Sequence, residues 1–512
     1  MDSIAKVYDI IHNRRLGRWF TPDREQAGSM KGRGCMEHII SLRLLMDYAK
    51  YKKTPLYIVY VDFSKAYDRV PRDVLIRTMI RLGCGASMIR TIAKIYSSTK
   101  MMLKTAIVTA TLGVRQGSPT SCFLFTLFTN DLIRNIKTEC QPDGYLGWLH
   151  TLMLMDDTVI LATTRERAIQ KVKILNKFCD ESGMVINASK TKFMVVNGTE
   201  EDRQQLVVDA ITINNCEKYC YLGCIFTQDA KIKSAIKEQC KMKMCHVTKY
   251  EAFIRRNPTA PYKVKETVFT AALTTALLYG IDSWLTSSGI EEARPMYTAC
   301  IRTLLGVRKT TAGELCLIEA GLPTLTAYAK NVQKRTIGKL IEERAGMEDD
   351  PFNHAWNLAR EARTPTARYI EALQTFAMDQ EMEALKQRVR SSTRTKYQSY
   401  CQLMNPNLTK SEIYTDPDLR EHERIVTTKF RLSSHNLAIE RGRWLRKPRD
   451  ERLCPECDVI QDESHALMDC RITAAVRSEH CRDMHLRLPD FFTRNATSAA
   501  VRACFVLIKD FI

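Results

Sequence analysis

Thr151-Leu152-Met153-Leu154-Met155-Asp156-Asp157-Thr158-Val159-Ile160-Leu161-Ala162-Thr163 is the stretch on which the fold turns. Two apolar runs flank a pair of adjacent aspartates, the pattern of a buried β-hairpin that turns at Asp156-Asp157. Upstream, Leu56-Tyr57-Ile58-Val59-Tyr60-Val61-Asp62 is rich in β-formers and also ends in a carboxylate. Adjacent carboxylates on an apolar hairpin repel each other and lose solvation, so a bound cation is a natural compensation. An aspartate pair in a turn is also a common solvated feature. What the pattern offers is a geometry: one Asp ending a strand beside an Asp pair at the tip of the adjacent hairpin. Two-metal phosphoryl or nucleotidyl transfer needs such a set, with cations about 4 Å apart. Mg²⁺ takes its ligands from a few carboxylates, water and substrate phosphate.

Outward from this core, helical spacing of Ile4, Val7, Tyr8 and Ile11 opens the chain. A loop rich in Gly and basic residues follows at Gly28 to Gly34, then a helix from Met36 to Lys50. Pro71 suits a helix first turn, and that helix runs to about Leu82 before Gly83. Arg165 to Ser182 reads as a helix with Gly183 as its C-cap, followed by β-like pieces at Lys192 to Val196 and Cys220 to Phe226. From about residue 229 basic amphipathic helices dominate; residues 231–256 hold eight Lys or Arg against two Glu.

At 512 residues the chain calls for two to four domains. Its 45% hydrophobic and 26% charged residues are those of a folded globular protein. A formal net charge of +19, from 77 Lys and Arg against 58 Asp and Glu, favours a polyanionic partner, nucleic acid first. The longest apolar stretch, Val268 to Tyr279, contains three threonines and is shorter than the roughly 20 residues of a membrane span. The first residues lack the apolar core of a signal peptide. Both features predict an intracellular protein without membrane contact. Most of the 18 cysteines are scattered singly and read as buried reduced thiols.

The neighbours of the three aspartates carry a family resemblance. Val61-Asp62-Phe63-Ser64-Lys65-Ala66-Tyr67-Asp68 closely resembles motif A of reverse transcriptases from LINE-type (non-LTR) retrotransposons. Gly113-Val114-Arg115-Gln116-Gly117-Ser118-Pro119-Thr120-Ser121 resembles their motif B, and Met155-Asp156-Asp157 their catalytic hairpin. Gly183-Met184-Val185-Ile186-Asn187-Ala188-Ser189-Lys190-Thr191-Lys192 resembles motif D, and Tyr221-Leu222-Gly223 the primer-grip turn. Arg24-Glu25-Gln26-Ala27-Gly28 and Gly32-Arg33-Gly34-Cys35 resemble the segment that precedes motif A.

The resemblance implies an α+β right-hand polymerase, with an antiparallel palm sheet, fingers, an all-α thumb and a helical C-terminal region ending in a zinc-binding element. Boundaries are expected at 1–55 (partial fingers), 56–228 (palm with fingers elements), 229–345 (thumb), 346–450 (helical linker region), 451–485 (zinc element) and 486–512 (C-terminal helix). It further implies RNA-directed DNA polymerisation on an RNA template and DNA primer with dNTPs, in a nuclear or cytoplasmic ribonucleoprotein. Asp62, Asp156 and Asp157 would hold two Mg²⁺ ions, with the Phe63 carbonyl as a further ligand. Tyr67 would lie under the incoming sugar, where a 2′-hydroxyl clashes; the alternative is a core aromatic. Gln116 and Gly117 would line the nascent pair, the glycine allowing close approach. Lys190 would protonate the departing pyrophosphate, or be a solvated strand-end lysine. Arg115 would contact phosphate or pair with an acidic neighbour.

Near the C-terminus, Cys454-Pro455-Glu456-Cys457, His465 and Cys470 give C-x₂-C-x₇-H-x₄-C, a donor set suited to tetrahedral zinc. The tail resembles the C-terminal Cys-Cys-His-Cys element of LINE-type proteins. Gly442-Arg443-Trp444-Leu445-Arg446-Lys447-Pro448-Arg449 before it suits stacking and phosphate contact on nucleic acid, or is a solvated charged loop. Two departures stand out. Leu154 occupies a place usually aromatic in the family, and Ser29-Met30 stands where Phe-Arg is usual. The family's upstream fingers strands and endonuclease-like domain have no counterpart in the sequence, so a truncated copy is expected. A catalytically silent relic that only binds RNA is the competing reading. An intron-type maturase shares the palm but usually carries a different C-terminal module.

Overall fold

A computed structural model describes residues 3–97, 100–103, 106–115, 117–416 and 419–480. Gln116 and the expected C-terminal helix at 486–512 therefore lie outside the described residues. The chain divides into two compact units. The first comprises Met1–Ala235, Asp282–Thr286 and Gln333–Gln374; the second comprises Ile236–Ile281, Ser287–Val332 and Thr375–Ile512.

The first unit is built on strands β1 (Leu56–Val61), β4 (Thr151–Leu154), β5 (Asp157–Ala162), β6 (Lys192–Val196), β7 (Leu206–Val208) and β8 (Ile211–Asn215), in the order β4-β5-β1-β6-β8-β7. Between β1 and β4 a separate ribbon pairs β2 (Lys100–Leu103) with β3 (Ala106–Thr109). Every residue of β1 is buried, as expected of a central strand covered on both faces. The sheet is antiparallel except at one seam: Lys192 pairs with Asn214 in parallel, because β8 returns as a hairpin with β7 before reaching β6. The helix Pro119–Glu139 covers the sheet with Phe123, Leu124, Leu127, Phe128 and Leu132, all in one apolar core with Val59, Ile160 and Phe193.

The 220–226 piece is not one strand. It splits into β9 (Lys218–Tyr221) and β10 (Cys224–Thr227), because Leu222 (φ 48°) and Gly223 (φ 77°) form a turn. The expected boundaries also differ from how the contacts divide. Residues 333–374 belong to the first unit instead of to a separate thumb and linker. The cause is visible in the helix Cys35–Lys52, which buries Ile39, Leu42, Leu45, Met46 and Ala49 and needs cover. The helix Pro351–Glu361 supplies it with Phe352, Ala355, Trp356 and Ala359, an i, i+3, i+4, i+7 stripe.

The second unit is helical, with Ser287–Leu305, Gly313–Ala320, Met378–Arg390 and Glu421–Arg431 among its longer members. Its interior holds paired charges: Arg431 forks onto Glu319 (2.7 and 3.1 Å), and Lys265 and Arg424 share Glu421 (2.7 and 2.6 Å). Among the described residues no helix is long and apolar enough to cross a membrane.

Candidate active site and metal centre

Strand register brings the three aspartates together. Val61 pairs with Thr158 across β1 and β5, so Asp62, the next residue on β1's path, stands opposite Asp157. Directly opposed residues in an antiparallel pair have Cα atoms about 4.5–5.5 Å apart. On the other side Leu154 pairs with Asp157, closing a two-residue turn at Met155-Asp156. The turn thus falls one residue earlier than expected, with Asp156 in the turn and Asp157 opening the strand. Met155 accepts a left-handed conformation to make this possible (φ 60°).

The electrostatics register the crowding. Desolvation, then repulsion from Asp156 and Asp62, pushes Asp157 up to about 6, although its carboxylate remains open to solvent at the tip. Asp156 is raised by burial and by Asp62. Lys190 Nζ lies 3.9 Å from Asp62 Oδ2 and is well exposed (68%). The Asp62 backbone is held on both sides: its N–H donates to Thr191 Oγ1 (3.1 Å), and its carbonyl accepts from Asn187 N–H (2.7 Å). Phe63, buried, bridges to Ile186. The segment 183–192 therefore serves as a brace for Asp62.

Tyr67 stacks on Phe125 with ring centroids 4.4 Å apart at 13°. Its hydroxyl is raised well above the usual phenol range by burial, Cys122 and Asp156, which places it towards the carboxylates. Gly117 has φ 79° and open space around it. The Arg115 guanidinium donates to the Ile95 carbonyl and lies 5.8 Å from the Tyr96 ring centroid, on the loop before the helix Pro119–Glu139. Asp9, from the first helix (Ser3–Trp19), caps that same helix by accepting from Thr120 N–H (3.1 Å) and from the Ser118 and Thr120 hydroxyls.

Two contributors carried no role in the sequence reading. Tyr219 stacks on Tyr60 (4.1 Å, 9°), and its hydroxyl is pushed up to about 12 by burial, Asp62 and Asp157. Tyr219 lies one residue ahead of the β-like run 220–226, so nothing in the sequence marked it. Gln26 is buried against the hairpin, and its presence within a motif segment hinted at importance without giving a reason.

In the second unit, ligand atoms of Cys454, Cys457, His465 and Cys470 all lie within 4.8 Å of one another. Cys454 and Cys470 sulfurs are 3.6 Å apart, close to the roughly 3.8 Å edge of a tetrahedron with Zn–S bonds near 2.3 Å. A bridge between Leu453 and Ile460 makes the knuckle that carries the first two cysteines. The short helix Glu463–Met468, capped by Asp462, presents His465. Burial works to raise Cys454, yet backbone hydrogen bonds at Glu456 and Cys457 and the nearby His465 and Cys470 bring it down to about 7. Arg471 N–H donates to Cys457 Sγ (3.3 Å). The His465 Nε2 is buried without a hydrogen-bond partner. Two clustered thiols, an amide-stabilised sulfur and an orphaned imidazole nitrogen fit zinc as donors.

Residues 4–226 match the family model described as reverse transcriptase (RNA-dependent DNA polymerase). The chain is similar to the Retrovirus-related Pol polyprotein from type-1 retrotransposable element R2 of Bradysia coprophila, 28% identical over 243 residues, covering 44% of this chain and 27% of that protein. Its counterpart in Nasonia vitripennis is 25% identical over 256 residues (46% and 25%). The type-2 element R2DM protein of Drosophila melanogaster is 23% identical over 289 residues (54% and 26%). The alignments thus span about a quarter of the length of these relatives. Among solved structures, telomerase from Candida albicans in complex with a fragment of telomeric RNA aligns at 14% identity and TM-score 0.33, over 73% of this chain and 57% of that one; a likeness at that level carries no weight here. At residues 4–226 the chain is thus similar to the reverse-transcriptase family and, over part of its length, to the Pol polyproteins of R2 retrotransposable elements.

Proposed function

We propose that this chain is an RNA-directed DNA polymerase that extends a DNA primer along an RNA template. The observation that carries the reading is the strand register that sets Asp62 beside Asp157 and the Asp156 turn. Asp62, Asp156 and Asp157 would hold the catalytic cations. Bound there, Mg²⁺ would stabilise charge on the attacking and leaving oxygens. Tyr67, braced by Phe125, makes a rigid floor that rejects a ribose 2′-hydroxyl. Lys190, close to Asp62 and solvated, is placed to give a proton to the departing pyrophosphate. In this reading the sheet is the palm, the N-terminal helices belong to the fingers, and the basic helices beyond 229 grip the template–primer backbone. That grip weakens steeply with salt. The Cys454, Cys457, His465 and Cys470 cluster holds a structural Zn²⁺ ion.

Primer extension on an RNA template with Mg²⁺ and dNTPs tests the reading. Extension by the wild-type chain, abolished by Asp156→Ala, supports it. Salt-sensitive RNA binding with no extension overturns it in favour of a silent RNA-binding relic.

A further inference from the structure

We infer that Gln26 is a positioning residue for the carboxylate hairpin; the inference rests on the polymerase reading above. Gln26 is fully buried (0% exposed). Its Oε1 accepts two backbone N–H groups, from Met155 (3.0 Å) and Gly28 (2.9 Å). Two donors converging on one atom identify that atom as the amide oxygen. The Nε2 donates to Thr129 Oγ1 (3.4 Å) on the helix Pro119–Glu139. Gln26 thereby ties three pieces together: the loop before the helix Cys35–Lys52, the covering helix, and the turn residue immediately before Asp156.

The tie is needed where it occurs. β4 is the edge strand of its sheet, so one side of its backbone has no strand neighbour. The segment 25–27 runs alongside it: Ala27 N–H donates to the Met153 carbonyl (2.9 Å), and Met153 N–H to the Glu25 carbonyl (2.8 Å). Two residues further, at Met155, φ is 60°, a conformation that a long side chain takes only where its surroundings impose it. There the Gln26 amide replaces backbone as the acceptor. The fit is close, since a Cβ on Gly28 would lie 2.8 Å from Met155 N. A neutral amide also suits the place electrostatically. A glutamate could accept the same two N–H groups, but it would lose the amide donor that reaches Thr129 and add a further negative charge beside the carboxylate hairpin.

Gln26 acts through the Met155 backbone, so its loss should misplace Asp156 without removing a contact to substrate. The test compares wild type, Gln26→Met, Gln26→Glu and Thr129→Ala by hydrogen–deuterium exchange of peptides spanning 151–160 and by steady-state primer extension. In Gln26→Met, exchange of the hairpin should quicken at least tenfold, and kcat should fall about 10- to 100-fold, the penalty for small misplacement of reacting groups. The dNTP KM should stay within about threefold of wild type. Gln26→Glu, which keeps an acceptor for the Met155 and Gly28 N–H groups, should restore hairpin protection. Thr129→Ala, which frees only the far end of the amide, should move both readouts in the same direction by less, and it decides the matter should Gln26→Met not fold. Unchanged hairpin exchange in Gln26→Met, or in Thr129→Ala alone if that is the folded variant, overturns the inference. Absence of extension by wild type would sink the polymerase reading, while the exchange measurement would still judge the tie.

Discussion

Gly113→Ala should be costly, because the added methyl meets both an unfavourable backbone angle and fixed backbone atoms. Gly113 sits at φ 81°, and a Cβ there would lie 2.9 Å from the Asp68 carbonyl oxygen and 3.0 Å from the Tyr67 carbonyl oxygen. Both obstacles are backbone, so neither swings aside. The turn is also pinned, since Gly113 N–H donates to the Val70 carbonyl (2.9 Å), Val114 N–H to the Tyr67 carbonyl (2.9 Å), and Arg72 Nε to the Gly113 carbonyl (3.0 Å). A left-handed alanine costs roughly 1–2 kcal/mol, and forced overpacking about 1–3 kcal/mol more. Together these amount to about 2–5 kcal/mol, or roughly 5–15 °C in the melting of a unit this size. Two controls separate the contributions. Gly117→Ala meets positive φ but open space, and should lose only about 1–2 kcal/mol. Gly85→Ala meets neither and should stay within about 0.5 kcal/mol of wild type. Thermal unfolding followed by circular dichroism reads all three. Equal losses for Gly113→Ala and Gly117→Ala would refute the packing argument, because the close approach to residues 67 and 68 would then count for nothing.

Asp157, raised from 3.8 to about 6, contributes stability that is full below pH 3.8 and lost as pH rises through 6. Because the side chain is exposed at the tip, solvent screening holds the effect to about 1 kcal/mol or less. In chelator, Asp157→Asn should therefore melt higher than wild type at pH 7, with the gap closing by pH 4; a gap independent of pH would contradict the assignment. One zinc ion per chain should be measurable by atomic absorption, lowered by His465→Ala, and a metal-free, fully folded tail would exclude the site. Arg344→Ala removes one of two cations shared by the buried Glu37 and Asp350, at 3.2 and 3.8 Å. Since Arg33 still contacts both acids, the loss should be about 2–3 kcal/mol, below the usual cost of stripping a buried pair. A double-mutant cycle with Glu37→Gln should show coupling above about 0.5 kcal/mol, and strict additivity would rule the network out.

The central hairpin, the strand ending at Asp62 and the Cys/His cluster were legible because each announces itself locally, by apolar runs ending in acid or by ligand spacing. The turn position was not. Nothing in Met155 announces a left-handed backbone, and the partner at Gln26 that supports it is 129 residues away. The Arg115 contact to the Ile95 carbonyl was hidden for a similar reason, since backbone acceptors leave no mark in sequence. The stripe Phe352, Ala355, Trp356 and Ala359 said that a helix packs, but not that it packs on residues 35–52. The parallel seam at Lys192 and Asn214 depends on short strands with no distinctive pattern.

The strongest argument that the aspartate cluster binds cations comes from how this chain treats its other acids. It has cations to spare, with a net charge of +19. It uses them on buried carboxylates: Lys171 and Arg167 on Asp143, Arg33 and Arg344 on Glu37, Lys137 on Glu25, Arg431 on Glu319, Arg424 and Lys265 on Glu421. Unpaired buried charge is costly enough that folded proteins seldom tolerate it. Yet among the described ion pairs none involves Asp156 or Asp157, and Asp62 meets only the exposed Lys190 at 3.9 Å. The three aspartates are more exposed than those acids, but they converge, and among the described residues only Lys190 pairs with any of them, so a cation from solution would relieve their mutual repulsion. Under the polymerase reading proposed above, divalent ions would meet that need, whereas a fixed arginine would fill space that a nucleotide's phosphates would enter.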